Sequence, residues 1–240
     1  MRILILGSGA REHAIAWKLT EEIDRNNIFI APGNAGTQIC GTNADISVSD
    51  FEALSSFCLE NKIDTILPGS EEAIANGVRD YFESNLDTKH IYVFSPNKYS
   101  GQLESSKAFA KEFMWKSSIP TAAYKSFTLD QLEEGYLFLD TLKPPYVLKA
   151  DGLAAGKGVL IIDDIEEAKR SLKDMLVNQK FGTASQKVVI EEFLDGIEFS
   201  VFALTDGENY VMFPEAKDYK RIGEGDKGLN TGGMGAVSPV

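Results

Sequence analysis

The sequence has little of what marks a secreted, membrane or nucleic-acid-binding protein. Its two cysteines, Cys40 and Cys58, show neither metal-ligand spacing nor a disulfide framework, which indicates buried residues in a reducing compartment. No stretch approaches the roughly 18 apolar residues of a membrane span, and the N-terminal MRILILG is too short for a signal peptide. Positive charge is scarce, because 24 basic residues face 36 acidic ones and leave a net charge of −12. We therefore expect a cytoplasmic protein with no general affinity for nucleic acid or anionic membranes.

The first hundred of the 240 residues alternate apolar strands with amphipathic helices. The pattern predicts strands at 2–6, 28–31, 65–67 and 91–94, and helices at 11–19, 50–61 and 71–82. Ser49 is the predicted N-cap of the second helix. Continuous apolar strands separated by helices indicate an α/β fold with a doubly wound parallel sheet. Ligands of such sheets bind at the carboxyl ends of the strands.

After Ser95-Pro96 the pattern changes to short strands and helices. It predicts a helix at 106–116, then a small α+β unit from about Thr121 to Gly196. Within that unit we predict strands at 124–127, 146–149, 159–162 and 188–193, and helices at 129–139 and 165–176. Longer antiparallel strands are predicted from Ile197 onward. The predicted domains are 1–104, a connecting helix at 105–122, a subdomain at 123–196 and an incomplete segment at 197–240.

Two glycine loops follow neighbouring strands of the predicted parallel sheet. The first, GSGAREH, supplies Gly7, Gly9, Arg11, Glu12 and His13. The second, PGNAGT, supplies Gly33, Asn34, Ala35, Gly36 and Thr37, and Glu71 follows the third strand. Backbone N–H groups at such turns and at a helix start attract anions, so we predict one shared phosphate site. Ordinary tight turns are the alternative.

The first loop is not the dinucleotide-binding fingerprint. The third glycine of that pattern would fall at Glu12, and the second strand ends in Ala31-Pro32 instead of an acidic residue for a ribose hydroxyl. These departures count against an NAD-dependent oxidoreductase.

A third glycine loop lies in VLKADGLAAGKGV. Lys149 ends its first strand, so the ammonium group can reach over the sheet edge. The loop then supplies Asp151, Gly152, Gly156, Lys157 and Gly158. Small residues with backbone donors suit a loop that closes over phosphates, although the Walker order fails because Gly158 follows Lys157. A flexible hairpin with solvated lysines is the alternative.

Three polar segments complete the set of motifs. VVIEEFLDGIE (188–198) joins acids to aliphatic residues, as an adenosine site requires, or is a charged hinge between strands. DYKR (218–221) and NTGGMG (230–235) combine a basic pair with a glycine-rich nest that suits a carboxylate or phosphate. A disordered loop from Gly223 to Gly235 is the alternative for the last segment.

Together these segments resemble the ATP-grasp ligases and, within them, the phosphoribosylamine–glycine ligase family of purine biosynthesis. The resemblance is collinear from Met1 to Val240 and rests on GSGAREHAIAWK, APGNAGT, LESSKAFAKEFM, IPTA, KADGLAAGKGV, VIEEFLDG, DYKR and NTGGMGAVSP. It implies a doubly wound N-terminal domain at 1–104, an ATP-grasp lid at 123–196 and the start of the ATP-grasp core at 197–240.

The resemblance also implies roles for the motif residues. ATP is implied to bind Lys107, Lys149, Asp151, Gly152, Gly156, Lys157, Gly158, Glu191, Glu192, Phe193, Leu194 and Glu198. The sugar phosphate and the acceptor are implied to bind Gly7, Gly9, Arg11, Glu12, His13, Gly33, Asn34, Ala35, Gly36, Thr37, Glu71, Asn230, Thr231, Gly232, Gly233 and Met234. The implied catalytic residues are Lys149, Asp218, Lys220 and Arg221.

The implied reaction has two steps. ATP phosphorylates the carboxylate of glycine, and the amine of 5-phospho-ribosylamine then displaces phosphate from the acyl phosphate. Mg²⁺ or Mn²⁺ would assist, with ligands expected beyond Val240, because family chains continue past NTGGMGAVSP. The resemblance therefore implies an N-terminal fragment that does not catalyse the full reaction alone, and we expect a monomer.

Two departures from the family pattern are Ala10, where a second glycine is usual, and Gly69-Ser70-Glu71-Glu72, where many members read GPEAP. Three other functions stay open. One is a different ATP-grasp enzyme, such as a carboxylase that activates bicarbonate. The others are the NAD-dependent oxidoreductase and a non-catalytic nucleotide-binding module.

Overall fold

The computed structural model describes residues 1–154, 158–225 and 227–240, with the backbone only at Leu229 and Asn230. The chain divides into two compact units, Met1–Phe113 and Met114–Val240. The α/β class predicted for the N-terminal part is confirmed.

Unit 1 is built on a five-stranded parallel sheet in the order β3-β2-β1-β4-β5. Its strands are β1 (Ile3–Gly7), β2 (Ile28–Pro32), β3 (Thr42–Asn43), β4 (Thr65–Pro68) and β5 (Tyr92–Val93). Its helices are α1 (Ala10–Leu19), α2 (Phe51–Glu60), α3 (Glu71–Asn76), α4 (Val78–Ser84) and α5 (Lys98–Ser105), and α6 (Lys107–Lys116) contains the boundary with unit 2.

Both faces of this sheet are buried. Successive residues of β1 alternate between two hydrophobic clusters, with Leu4 and Leu6 in one and Ile3 and Ile5 in the other. Helix α1 covers the second face through Ala16, while α2 and α4 cover the first. Each fully buried aliphatic side chain contributes about 1.5–3 kcal/mol, so this two-sided core fixes the strand ends that carry the loops.

Three local predictions in unit 1 need correction. The N-cap of α2 is Asp50, not Ser49, and its carboxylate accepts the N–H of Ala53 at 3.0 Å. The predicted helix at 71–82 is two helices, because Gly77 adopts a left-handed φ of +89° between them. Helix α5 was not predicted, because its sequence KYSGQLES has few apolar residues. Asn97 is its N-cap, and the Asn97 Oδ1 accepts the N–H of Ser100 at 2.9 Å.

Unit 2 begins with a four-stranded antiparallel sheet in the order β6-β9-β7-β8. Its strands are β6 (Tyr124–Thr128), β7 (Tyr146–Ala150), β8 (Val159–Ile162) and β9 (Lys187–Glu192). Helices α7 (Leu132–Leu139) and α8 (Ile165–Asn178) bury Leu139, Leu172 and Met175 against Phe127 and Leu148 of the sheet. This arrangement confirms the small α+β unit.

The rest of unit 2 is an antiparallel sheet of β10 (Ser200–Thr205), β11 (Tyr210–Gly223) and β12 (Lys227–Val237). Strand β12 contains most of the segment for which a disordered loop was the alternative. In the described residues that segment is paired with β11, so the disordered alternative is wrong. The side chains of β10 are exposed along its whole length.

Candidate functional site

In unit 1 the loops after β1, β2 and β4 meet at the carboxyl edge of three neighbouring strands. The Gly33 N–H donates to the Gly7 carbonyl at 3.1 Å, and the Gly69 N–H donates to the Leu6 carbonyl at 2.8 Å. The two glycine loops and the segment before Glu71 therefore form one edge, as the parallel sheet predicts.

Asn34 joins the second loop to the first. Its Nδ2 donates to the carbonyl of Ser8 at 2.9 Å and to that of Gly9 at 3.2 Å. Its Oδ1 accepts the N–H groups of Gly36 and Thr37 at 2.7 and 3.0 Å. Thr37 is fully buried and accepts the Asn34 N–H at 2.8 Å. The loop is thus held in shape by its own side chains before any ligand binds.

Arg11 and Glu71 form an exposed ion pair at the same edge. Arg11 Nη1 lies 2.8 Å from Glu71 Oε1 and also donates to the Gly69 carbonyl at 2.7 Å. The hydrogen bond to Glu71 raises the pKa of Arg11. Burial works to raise the pKa of Glu71, but the hydrogen bond from Arg11 and its charge outweigh burial, so that pKa is lowered. Both groups are charged at neutral pH and available to a polar ligand.

Glu12 points inward at this edge. It is 5% exposed, and its Oε2 accepts the N–H of Gly9 at 2.5 Å. His13 is half-buried. A Cβ added to Gly36 would lie 2.6 Å from the Cε1 and Nδ1 atoms of its ring.

The structure brings together all the residues predicted to bind the sugar phosphate in unit 1. They are Gly7, Gly9, Arg11, Glu12, His13, Gly33, Asn34, Ala35, Gly36, Thr37 and Glu71. The sequence interpretation missed Gly69, the carbonyl partner of Arg11, and Asn43, whose Oδ1 accepts the Thr37 hydroxyl at 2.7 Å. A glycine directly after a predicted strand was the available signal for Gly69. Asn43 lies in β3, a two-residue strand that the sequence did not predict.

In unit 2, Lys149 and Glu191 form a largely buried ion pair. Lys149 Nζ lies 2.8 Å from Glu191 Oε2, and the two side chains are 28% and 6% exposed. The register pairs Lys149 with Val189 and Val147 with Glu191, so the two side chains are diagonal neighbours on one face. Burial at this level holds a charge only if it is paired.

The third glycine loop connects β7 to β8 as an antiparallel hairpin, since the Ala150 N–H donates to the Gly158 carbonyl at 2.8 Å. The Asp151 N–H donates to the carbonyls of Ala184 and Lys187, both at 3.0 Å, which anchors the start of the loop. Gly152 packs on Ala184, and a Cβ there would lie 3.1 Å from it. Gly156 and Lys157 lie outside the described residues.

The predicted adenosine contacts begin at the last two residues of β9, Glu191 and Glu192, and continue after it. Glu192 continues the pairing with the segment before β6, because its Oε1 accepts the Ala123 N–H at 2.8 Å. Phe193 and Leu194 are 40% and 65% exposed. Glu198 is exposed and meets Lys220 Nζ at 3.1 Å.

Strands β11 and β12 place DYKR beside NTGGMG. Lys220 Nζ lies 3.1 Å from Glu198 and 3.4 Å from Asp218, and the hydrogen bond to Glu198 raises the pKa of Lys220 despite the opposing effect of burial. The Thr231 hydroxyl donates to the Lys220 carbonyl at 2.8 Å. Arg221 pairs in register with the backbone of Asn230, and the remaining members are Gly232, Gly233 and Met234.

Three further observations concern the predicted ligands and location. Lys107 begins α6 within unit 1. Within residues 1–154, 158–225 and 227–240, no group of three or more histidine, cysteine or acidic side chains is placed to hold a metal ion. None of the helices in this same part of the chain is long and apolar enough to cross a membrane.

Comparison with known proteins gives matches over the whole chain. Residues 1–104 match the N domain of phosphoribosylglycinamide synthetase, and residues 105–240 match its ATP-grasp (A) domain. A phosphoribosylamine–glycine ligase of Fusobacterium nucleatum is 45% identical over 239 residues, which are 100% of this chain and 55% of the relative. The chain thus spans about half the length of the curated relatives it matches.

Solved structures agree. The crystal structure of the Thermotoga maritima phosphoribosylamine–glycine ligase is 38% identical with a TM-score of 0.80, covering 100% of this chain and 56% of that one. An N5-carboxyaminoimidazole synthetase from Staphylococcus aureus, complexed with ADP, is 17% identical with a TM-score of 0.68 over 92% of this chain and 55% of that one, a likeness of fold alone. Since a family model matches more than half of the residues, this chain belongs to the phosphoribosylglycinamide synthetase family.

Proposed function

We propose that this chain carries the sugar-phosphate-binding part and a large share of the ATP-binding part of a ligase that joins glycine to 5-phospho-ribosylamine. ATP phosphorylates the glycine carboxylate to glycyl phosphate, and the amine of the sugar attacks it to give glycinamide ribonucleotide, ADP and phosphate. Family membership and the whole-chain likeness to phosphoribosylamine–glycine ligases support the reaction.

The observation that carries the proposal is the Lys149–Glu191 pair at the base of the glycine hairpin. The ammonium is held in place by a nearly buried carboxylate, at the point where β7 passes into the loop. A lysine at such a position offers a point charge to a polyphosphate, and a hairpin of small residues offers backbone donors. Proposed contacts to the nucleotide are Lys107, Lys149, Asp151, Gly152, Gly156, Lys157, Gly158, Glu191, Glu192, Phe193, Leu194 and Glu198.

The substrate side of the proposal uses both units. In unit 1 the exposed Arg11 supplies a cation for the sugar phosphate, and Glu71 can accept hydrogen bonds from ribose hydroxyls or from the amine. In unit 2, Lys220 and Arg221 face the charge that develops when the glycine carboxylate is phosphorylated, with Asp218 orienting Lys220. The sugar phosphate and the acceptor are assigned to the loop residues of both units named above.

The divalent metal that such a reaction uses does not fit any group of described residues in this chain. Mg²⁺ or Mn²⁺ therefore has no assigned ligand here, and no step is derived through it. The monomeric state and the cytoplasmic location stay predictions.

Calorimetric titration with a nonhydrolysable ATP analogue and magnesium tests the nucleotide assignment. The Lys149→Met variant keeps the aliphatic stem and removes the charge. We expect it to lose at least ~10-fold in affinity, about 1.4 kcal/mol. Lys169→Met is the matched control, because Lys169 is also ion-paired, 2.7 Å from Asp140, and similarly covered at 24% exposed.

Three results would contradict the assignment. They are wild-type affinity in Lys149→Met, an equal loss in Lys169→Met, or no binding by the wild-type chain. Lys149→Met leaves the Glu191 carboxylate without this partner, so the titration is repeated in Lys149→Met/Glu191→Gln to separate lost binding from lost folding. Titration with NADH should give no heat, and saturable NADH binding would favour the oxidoreductase alternative.

A further inference from the structure

The first turn of α1 contains Glu12, which the proposed function counts among the loop residues near the sugar phosphate, and its geometry gives it a more specific role. Where dinucleotide-binding folds carry a third glycine, this chain has Glu12, and that side chain is buried. Its Oε2 accepts the N–H of Gly9, the residue that caps α1. Glycine has no side chain with which to return the bond, so this is one half of a capping box.

The side chain of Glu12 occupies the space that a Cβ would need at two neighbouring glycines. A Cβ on Gly7 would lie 2.6 Å from Glu12 Cδ, and one on Gly69 would lie 2.1 Å from Glu12 Oε1. The three nearest heavy atoms to a Cβ at Gly69 are all atoms of Glu12. The side chain of Glu12 thus crowds Gly7, at the end of β1, and Gly69, directly after β4, and Gly7 also has a φ of +137° that favours glycine.

The position of the carboxylate also determines what the helix N-terminus can bind. The free N–H groups and the dipole of a helix start favour one negative charge, which is why phosphates bind there in dinucleotide folds. Here the charge is supplied internally and the Gly9 N–H is already used. A second anion would meet both the filled volume and the like charge of Glu12.

We propose that Glu12 is a specificity-determining and positioning residue: its buried carboxylate occupies the anion position at the N-terminus of α1, closes that position to phosphate and diphosphate groups, and holds the β1 and β4 loops together. The phosphate of a substrate is then received by exposed cations of the same edge, such as Arg11, away from the Gly9 N–H. This inference does not need the proposed reaction, and within the proposed function it moves the substrate phosphate from the Gly9 N–H to these cations.

The experiment follows backbone amides of the chain by ¹H–¹⁵N NMR during titration with inorganic pyrophosphate. In the wild type we expect the Gly9 amide not to move along a saturable curve, even where pyrophosphate binds the Arg11 side chain and moves the Arg11 amide. Glu12→Ala both empties the position and removes its like charge, and we expect the Gly9 amide to titrate with at least ~10-fold tighter pyrophosphate affinity than in Glu12→Gln, which removes only the charge. Glu12→Gln keeps the shape and should stay closed.

The matched control is Glu22→Ala, which changes the net charge equally but removes an exposed side chain after the other end of α1. It should leave the Gly9 amide unresponsive. Added formate should compete with pyrophosphate in Glu12→Ala, because it replaces the missing carboxylate. A saturable Gly9 response in the wild type, or a folded Glu12→Ala with no response, would overturn the proposal. If Glu12→Ala does not fold, the wild-type and Glu12→Gln titrations still decide whether the position is closed.

Discussion

Gly69→Ala tests whether Glu12 holds the β1 and β4 loops together. The new methyl group would stand 2.1 Å from Glu12 Oε1 and 2.8 Å from its Cδ and Cγ, so the carboxylate must move by more than about 1 Å to reach van der Waals contact. Gly69 does not have a left-handed φ, so the added Cβ causes no backbone strain of its own.

The cost follows from these contacts. Overpacking of a buried site costs about 1–3 kcal/mol, and a charge-assisted hydrogen bond such as that from Gly9 to Glu12 contributes about 1.5–3 kcal/mol. Since Glu12 can move and keep part of its bond, we expect Gly69→Ala to lower the free energy of unfolding of unit 1 by about 2 kcal/mol. In a Glu12→Ala background the methyl group enters vacated space, and the cost should fall to within about 0.5 kcal/mol of zero.

Urea unfolding gives the free energy of unfolding of all four proteins in this double-mutant cycle: the wild type, the two single variants and the double variant. The protein has two tryptophans, Trp17 in α1 and Trp115 in unit 2, so a Trp115→Phe background makes fluorescence report on unit 1. Gly101→Ala is the matched control, because its Cβ would meet Ile74 at 3.0 Å and not Glu12. Its cost should be the same in both backgrounds. An equal cost of Gly69→Ala with and without Glu12 would refute the reasoning.

Two further predictions concern titration and thiol chemistry. The pKa of Glu71 is lower in the folded chain than in the unfolded chain, where it is about 4.3. The ion pair with Arg11 therefore stabilises the folded chain above about pH 4.3, and this stabilisation is lost as the pH falls through the lower folded value. Urea unfolding should therefore show Glu71→Gln less stable than wild type at pH 7, by less than about 1 kcal/mol because water screens the pair, and equally stable near pH 3. A difference that grows on acidification would contradict this sign. Burial raises the pKa of Cys58 to about 12, so a thiol reagent at pH 8 should label it only as fast as the chain opens. Immediate labelling of Cys58 in the native chain, identified by mass spectrometry, would show that the side chain is not buried.

Periodicity predicted most of the fold because the core is two-sided and uninterrupted. The runs at β1 and β2 are apolar on both faces, and only a sheet covered on both sides can bury them. The failures occur where a single residue overrides the pattern. Gly77 divides a helix whose apolar spacing continues across it. Helix α5 begins after its N-cap, Asn97, and its sequence has no apolar stripe from which the helix could be predicted.

The candidate site was predictable in membership but not in geometry. Parallel strands bring the loops after β1, β2 and β4 to one edge, so the sequence could place Arg11, Asn34 and Glu71 together. Lys149 and Glu191 are 42 residues apart in the sequence, and their contact depends on the register of β7 against β9. The sequence pattern does not specify that register. In the same way, GSGAREH indicated an anion site without showing that Glu12 already supplies the anion.

The glycines of the two units therefore carry different information, although their motifs look alike. At Gly7, Gly36 and Gly69 the space of a Cβ is filled by Glu12 or His13, so these positions are fixed by internal packing. At Gly232 and Gly235 nothing in the described part of the chain lies within 4 Å of such an atom. Packing within these residues cannot explain glycine there, whereas a ligand that approaches the backbone can. The glycines of GSGAREH are thus crowded by side chains of unit 1, whereas those of NTGGMG are open within the described part of a chain that spans about half the length of its relatives.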